Sequence, residues 1–314
     1  MIMNMKKIFL IFLMALTILS ACSNNNSADV KICLPDGTPA LAMANLLNED
    51  SQYDIEIVNA DSISGLVASK SCDLAILPTV AAAKLYSNGS NIKIVSANVF
   101  GNLYICGNQD LESLDLLVGK MVYTTVGTTM DLFKYILDAN QIEYVEGSQA
   151  IENKVTLCSK SDATEIIQLI KLATTNNEFA CGILGEPVVT KALGMIEGLK
   201  INFDLQQLYG NISGEINYPQ ACLVAQADFC NNNSAIIDEI IESLSANSDF
   251  LYNNLEDLPA IFSEYNSSLG GMSFTSDTIK RSNIDLLLPV DCKEMICDYV
   301  YALTKITLAD DIFR

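Results

Sequence analysis

Short, mostly apolar runs alternate with stretches of helical spacing along most of the chain. Val30–Leu34 is such a run; Asp36-Gly37 turns the backbone, and Thr38-Pro39 supplies an N-cap and a first-turn proline for a helix over Ala40–Asn48. The pattern continues with a strand at Ile55–Val58, a helix from Ser62 to Lys70, and a strand at Leu74–Leu77. Pro78-Thr79 opens a helix over Val80–Tyr86, and Ile92–Ala97 and Leu103–Cys106 are further strands. Apolar strands on both faces, separated by helices of about ten residues, predict parallel sheets covered on both sides, an α/β class.

The second part of the chain echoes the first. Met121–Thr124, the turn Val126-Gly127-Thr128-Thr129 and a helix over Met130–Asn140 repeat the strand, Gly-Thr turn and helix of residues 32–48. Ala180–Leu184, then Gly185-Glu186-Pro187 and a helix over Val188–Leu193, repeat the layout of residues 74–86. Two similar doubly wound lobes are expected, as the 314-residue length also suggests. The chain crosses to the second near Leu103–Gly107 and returns near Gln220–Ala225. The expected division is 30–106 with 222–314 as lobe 1 and 107–221 as lobe 2. Helices at Ser234–Leu244, Phe250–Tyr265 and Asp291–Thr304 should pack back on lobe 1, with loops at Asn231–Asn233 and Asn266–Ser273.

The N-terminus adds a destination. Lys6 and Lys7 precede the apolar stretch Ile8–Leu19, which is shorter than the roughly 20 residues a membrane crossing needs and fits a secretory signal. Leu19-Ser20-Ala21-Cys22 follows, then the polar run Ser23–Ser27. That arrangement resembles a bacterial lipobox, which makes residues 1–21 a removable signal, Cys22 the lipidated first residue and 22–29 a flexible tether. An ordinary signal peptide with an incidental cysteine is the competing reading.

Composition then removes function classes. There is no histidine, so Ser/His/Asp and Cys/His nucleophile pairs and imidazole metal sites are excluded, and no metal or cofactor is expected. Acidic residues number 38 against 18 basic, a formal charge of −20, and phosphate backbones would be repelled, so nucleic acid is not a partner. Of the ten cysteines, the nine besides Cys22 show no CxxC pair; several lie inside apolar strands, where a thiol acts as a small hydrophobe.

Ligands of open α/β sheets lie beyond the carboxyl ends of strands, where helices begin with free amide donors. Four such turns can be named: Asp36-Gly37-Thr38, Pro78-Thr79, Thr125–Thr129 and Gly185-Glu186. Thr38 and Thr79 are either ligand contacts or plain helix caps. Gly127, Thr128 and Thr129 form a turn without the lysine and spacing of a nucleotide P-loop. Glu186 either complements a helix start or accepts hydrogen bonds from a ligand amine. Asn98 and Phe100, at the end of the Ile92–Ala97 strand, and Tyr218, near the return crossing, complete the candidates. The two aromatic rings are placed to sandwich a flat ligand, with core packing as the alternative.

Taken together, the lipobox, the DGTP turn, SKSCDLAILPTVAAAKLY, VGKMVYTTVGTTMDLFKYIL and GILGEPVVTKAL resemble the solute-binding lipoproteins of ABC importers. The nearest branch contains sulfonate-binding and thiamine-precursor-binding (NMT1/THI5-like) proteins. The resemblance implies the type II periplasmic-binding-protein fold, with two lobes joined by two hinge strands closing on a small molecule. It further implies a monomer anchored on the extracytoplasmic side of a membrane and partnered by a permease and its ATPase. Arginine suits a sulfonate or carboxylate grip, but Arg281 and Arg314 both lie in the C-terminal segment, away from the four turns. A neutral or cationic flat solute, such as a thiamine-pyrimidine precursor, is therefore expected. Two other classes remain: a small-molecule lyase on the same fold, using Asp36 or Glu186 as general base, and a surface receptor without transport.

Overall fold

The computed structural model describes residues 30–48 and 52–314. The expected signal, Cys22 and the tether 22–29 lie outside the described residues.

The strands run in chain order β1 (Lys31–Pro35), β2 (Asp54–Val58), β3 (Leu74–Pro78), β4 (Ile92–Phe100), β5 (Leu103–Gly107) and β6 (Met121–Thr125). They continue with β7 (Tyr144–Glu146), β8 (Val155–Lys160), β9 (Cys181–Gly185), β10 (Lys200–Asp204), β11 (Pro219–Gln226) and β12 (Ile284–Leu287). They form two six-stranded sheets, ordered β12-β4-β11-β3-β1-β2 and β10-β5-β9-β6-β8-β7. Matching β1 to β6, β2 to β8 and β3 to β9 aligns β4-β11-β3-β1-β2 with β10-β5-β9-β6-β8 and leaves β12 and β7 unmatched. In each sheet the strand that arrives from the opposite lobe, β11 or β5, lies beside the third of these and runs antiparallel to it.

The sheets are therefore mixed, whereas the apolar strands predicted parallel ones. The pairs β1–β2, β1–β3, β6–β8 and β6–β9 are parallel. The reversed strands are β5 and β11, which cross between lobes, and β12 at a sheet edge, and strand composition carries no record of direction. The crossings themselves fall slightly earlier than expected. Leu103–Gly107 belongs wholly to the second sheet and Pro219–Gln226 wholly to the first, so the chain passes between lobes at Gly101-Asn102 and again just before Pro219.

Alternation along the strands fills both faces of each sheet. Ile32, Leu34, Leu74, Ile76 and Leu223 enter one apolar cluster, while Cys33, Ala75, Leu77, Cys222 and Val224 enter the cluster on the opposite face. The second sheet repeats this, with Ile105, Val122 and Ile183 on one side and Tyr104, Cys106 and Leu184 on the other. The helix Thr128–Ala139 buries Met130, Phe133 and Leu137 with Leu132 and Ile136, a stripe of helical spacing that lies on the sheet. All nine cysteines of the described residues are unpaired, eight of them buried. Burial pushes the Cys106, Cys181 and Cys222 thiols up to about 12, so they remain neutral core groups.

Two predicted helices are broken in the structure. Residues 40–48 divide into Thr38–Leu41 and Ala44–Asn48. One distant side chain bridges the break, bonding both the Leu41 carbonyl and the Asn45 amide. Asn247, 2% exposed, donates from Nδ2 to Leu41 O at 3.1 Å and accepts from Asn45 N at 2.8 Å. The predicted helix Phe250–Tyr265 is two, Asn247–Asn253 and Leu258–Glu264. Pro259 falls in the first turn of the second, where its missing N–H costs nothing.

Candidate functional site

Between the two sheets lies a cavity of about 500 Å³. The turn after β1 and the turn after β6 face it from opposite lobes, and their backbones match. Gly37 has φ 97° and ψ −141°, and Gly127 has φ 86° and ψ −144°. Only glycine adopts this region readily, so the sequence echo of the two Gly-Thr turns reflects the same bend made twice. Each glycine aims the following threonine and the start of a helix at the cavity. Pro78 and Pro187 also line it after β3 and β9, as N-caps of the helices Thr79–Ser87 and Val188–Met195.

Of the expected residues, Asp36, Gly37, Thr38, Pro78, Gly127, Thr128, Thr129 and Glu186 line the cavity. Thr38, 4% exposed, spans the lobes: its hydroxyl donates to Glu186 O and accepts from Asn102 Nδ2 at 2.8 Å. Asp36 is held within lobe 1, where its carboxylate accepts from Gly37 N, the Ser267 hydroxyl and Ser268 N. Burial works against its charge, but the Ser267 hydroxyl and the Ser268 and Gly37 amides outweigh burial and hold the carboxyl below its usual range.

Glu186 is the centre of a second network. Its side chain is fully buried and pairs with Arg281 Nε at 2.5 Å; it also accepts from Thr190 N at 3.0 Å and Thr190 Oγ1 at 3.1 Å. Arg281 NH2 bonds Thr190 Oγ1 at 3.0 Å, and Thr190 Oγ1 meets Thr278 Oγ1 at 3.0 Å. Tyr104 donates to Arg281 O at 2.9 Å. The placement of Arg281 away from the turns is corrected: the helix Ser276–Ser282 lays it on the Gly185-Glu186 turn. Since Glu186 Oε1 and Oε2 are both engaged, its side chain is a structural tie between lobes and not a free acceptor.

Five expected residues do not line the cavity. Phe100 is wholly buried in the lobe 1 core, and Tyr218 in the core at the crossing. Tyr218 stacks on Tyr299 with centroids 5.1 Å apart and meets Tyr209 edge-on at 5.3 Å, so other rings of the protein occupy its faces. Among the described residues no aromatic side chain lines the cavity, and the expected sandwich of a flat ligand is not built. Asn98, 2% exposed, spends Oδ1 on Ser96 Oγ at 2.9 Å and Leu223 N at 3.0 Å, where the β4–β11 register shifts. Thr79 turns inward with no exposure. Thr125 ends β6 opposite Lys160, and the cavity begins one residue later at Val126.

Two polar residues at the crossings were missed in the sequence. Asn102 and Gln220 both line the cavity and sit at the two crossings, and each keeps a buried side-chain oxygen without a hydrogen-bond partner. Nothing local marks them. Ala60 and Asp61 also line it, at the start of the helix after β2. The strand-then-helix rule that found the other turns would have found this one.

No protein-family model and no curated protein matches the chain. Solved structures do. An ABC transporter from Parabacteroides distasonis is 20% identical, covering 91% of this chain and 98% of its own, with a TM-score of 0.70. The periplasmic aliphatic sulphonate binding protein SsuA from Escherichia coli is 12% identical over 90% of each chain, with a TM-score of 0.63. A Candida albicans gene product described as having the generic periplasmic binding protein fold is 11% identical, covering 90% of this chain and 92% of its own, at 0.54. The chain has the periplasmic-binding-protein fold. Identities this low speak to architecture alone, and residue roles rest on the geometry above. Among the described residues no helix is long and apolar enough to cross a membrane, and no group of His, Cys, Asp or Glu is placed to hold a metal ion.

Proposed function

We propose that this chain is an extracytoplasmic solute-binding lipoprotein of an ABC importer, which captures a small organic solute between its lobes and presents it to a membrane permease. The observation that carries the reading is the 500 Å³ cavity on which matched Gly-Thr turns of opposite lobes converge. That volume lies in the range of small-molecule sites. The solute settles on one lobe, and closure adds contacts such as the Thr38–Glu186 bond that joins the lobes above it. The solved neighbours of the same fold that are named as ABC transporter and sulphonate-binding proteins support it.

A role without catalysis is supported by the fate of the two carboxylates a lyase would need. Asp36 is a weak base held by three donors, and Glu186 is tied to Arg281 and Thr190. The absent aromatic sandwich removes the support for a flat thiamine-type ring, although it leaves capture itself intact.

Two measurements test the proposal. Cys22→Ser is expected to move the protein from the membrane fraction to the soluble one; retention in membranes would show that Cys22 is not lipidated. The same variant can be screened by thermal shift against vitamins, their precursors, sulfonates, amino acids and purines. A solute at a thousandfold excess over its Kd adds about 4 kcal/mol and raises the midpoint by several degrees. If no class raises it, solute capture fails as the function.

A further inference from the structure

The buried oxygens at the crossings say what the solute must carry, given the capture reading above. Asn102 is 2% exposed, and its orientation is fixed by its neighbours. A hydroxyl has one proton, and that of Thr38 goes to Glu186 O, which can only accept; Thr38 Oγ1 must then receive its bond from Asn102 Nδ2. The amide cannot be turned over, so Oδ1 is an acceptor, and it is buried without a partner on a residue that lines the cavity. Oδ1 lies 3.8 Å from where a Cβ on Gly185, another lining residue, would stand. Gln220 at the second crossing adds another buried side-chain oxygen without a partner. A buried acceptor left unpaired is unfavourable, and a solute that pairs it is favoured over one that does not.

Charge points the same way. Among the described residues no lysine or arginine lines the cavity, and of the acidic residues that do, Asp36, Asp61 and Glu186, only Glu186 has a cation beside it. Donors do exist, because no side chain caps the starts of the helices Thr79–Ser87 and Thr128–Ala139. Their amides suit a carbonyl oxygen, and no cation is present to hold a full anion.

We infer that the cleft selects an uncharged solute bearing an N–H next to a carbonyl, of the amide, lactam or ureide type, with Asn102 Oδ1 receiving the N–H, and that it rejects acceptor-only anions such as sulfonates. The N–H completes Asn102, and the carbonyl faces the helix starts. A sulfonate has no hydrogen to offer Oδ1 and meets Asp36 and Asp61 unscreened.

The test uses the full chain in detergent and two probe sets. One holds uracil, hydantoin, 2-pyrrolidone and nicotinamide; the other holds methane-, ethane- and butanesulfonate with sulfate and phosphate. Calorimetry and thermal shift are expected to show binding from the first set, with the best anion at least a hundredfold weaker. Asn102→Leu should weaken the best first-set probe at least tenfold and leave the weak binding of the sulfonates unchanged. A sulfonate that binds as tightly as any first-set probe, or a first-set probe indifferent to Asn102→Leu, overturns the inference and leaves capture standing. Should Asn102→Leu not fold, the parent protein decides: a sulfonate that matches any first-set probe overturns the inference, and a hundredfold preference for the first set upholds it. Silence from the first set overturns this inference, and capture then stands or falls on the wider thermal-shift screen.

Discussion

Replacing Arg281 by methionine is expected to lower the unfolding free energy by about 3–5 kcal/mol, because a buried carboxylate is left without its cation. Methionine keeps the apolar stem and removes only the guanidinium, so the loss reports charge and hydrogen bonding more than packing. Glu186 has no exposed side-chain surface, and with Arg281 gone it retains only the amide and hydroxyl of Thr190. Glu186→Gln should cost less, about 1 kcal/mol, since the amide keeps an acceptor where the carboxylate was. The double variant should be less destabilised than the sum of the two, and the difference is the coupling between the groups. Urea denaturation of the four proteins measures it. The pair also ties the helix Ser276–Ser282 of lobe 1 to the Gly185-Glu186 turn of lobe 2, so the arginine variant should scatter X-rays as a more open molecule. A cost under about 0.5 kcal/mol with unchanged scattering would mean that the ion pair does not hold the lobes together.

Arg281 shows where sequence reading stops. The Asp36-Gly37-Thr38 and Val126-Gly127-Thr128 turns were legible because their cause is local: a glycine at positive φ between an apolar strand and a helix. The two-lobe repeat followed from seeing that pattern twice. Arg281 lies 95 positions from Glu186, and Asn102 lies 64 from Thr38, so neither partnership leaves a mark on the residues around it. The aromatic candidates failed for a related reason. A ring at a strand end is equally suited to a ligand and to a core, and the Tyr299 that covers Tyr218 comes from a helix 81 residues further on, Pro289–Thr304. The break at Ala42-Met43 depends likewise on Asn247. Periodicity identifies elements because burial repeats along them, whereas crossings, strand direction and polar ties are set by elements distant in sequence.

The two crossings also explain why a glycine is needed where the chain first changes lobe, and Gly101→Ala is the variant expected to damage both fold and capture. A Cβ there would lie 2.4 Å from Tyr218 Cε1, 2.6 Å from Tyr218 Cζ and 2.5 Å from Gln206 Oε1. None of these atoms can retreat cheaply. The Tyr218 ring is stacked on Tyr299 and edged by Tyr209, and Gln206 Oε1 is held by Asn283 Nδ2 at 2.6 Å, a group that also bonds Gly101 O at 2.9 Å. Overpacking of a rigid core costs about 1–3 kcal/mol, and with two neighbours pinned the upper end is expected. The strain falls at the crossing between lobes, so the solute affinity should fall along with the midpoint. Gly65→Ala is the matched control. It sits inside the helix Ala60–Ala68 with no heavy atom within 4 Å of its would-be Cβ, and it should stabilise by up to about 1 kcal/mol through helix propensity. Adding Tyr218→Leu to Gly101→Ala removes the ring that blocks the methyl and should recover part of the loss in the pair, although Tyr218→Leu alone destabilises by leaving Tyr299 uncovered. Calorimetric unfolding of the single and double variants decides the matter. If Gly101→Ala unfolds at the temperature of the parent protein, the tyrosine stack is not a fixed wall and the first crossing is free to move.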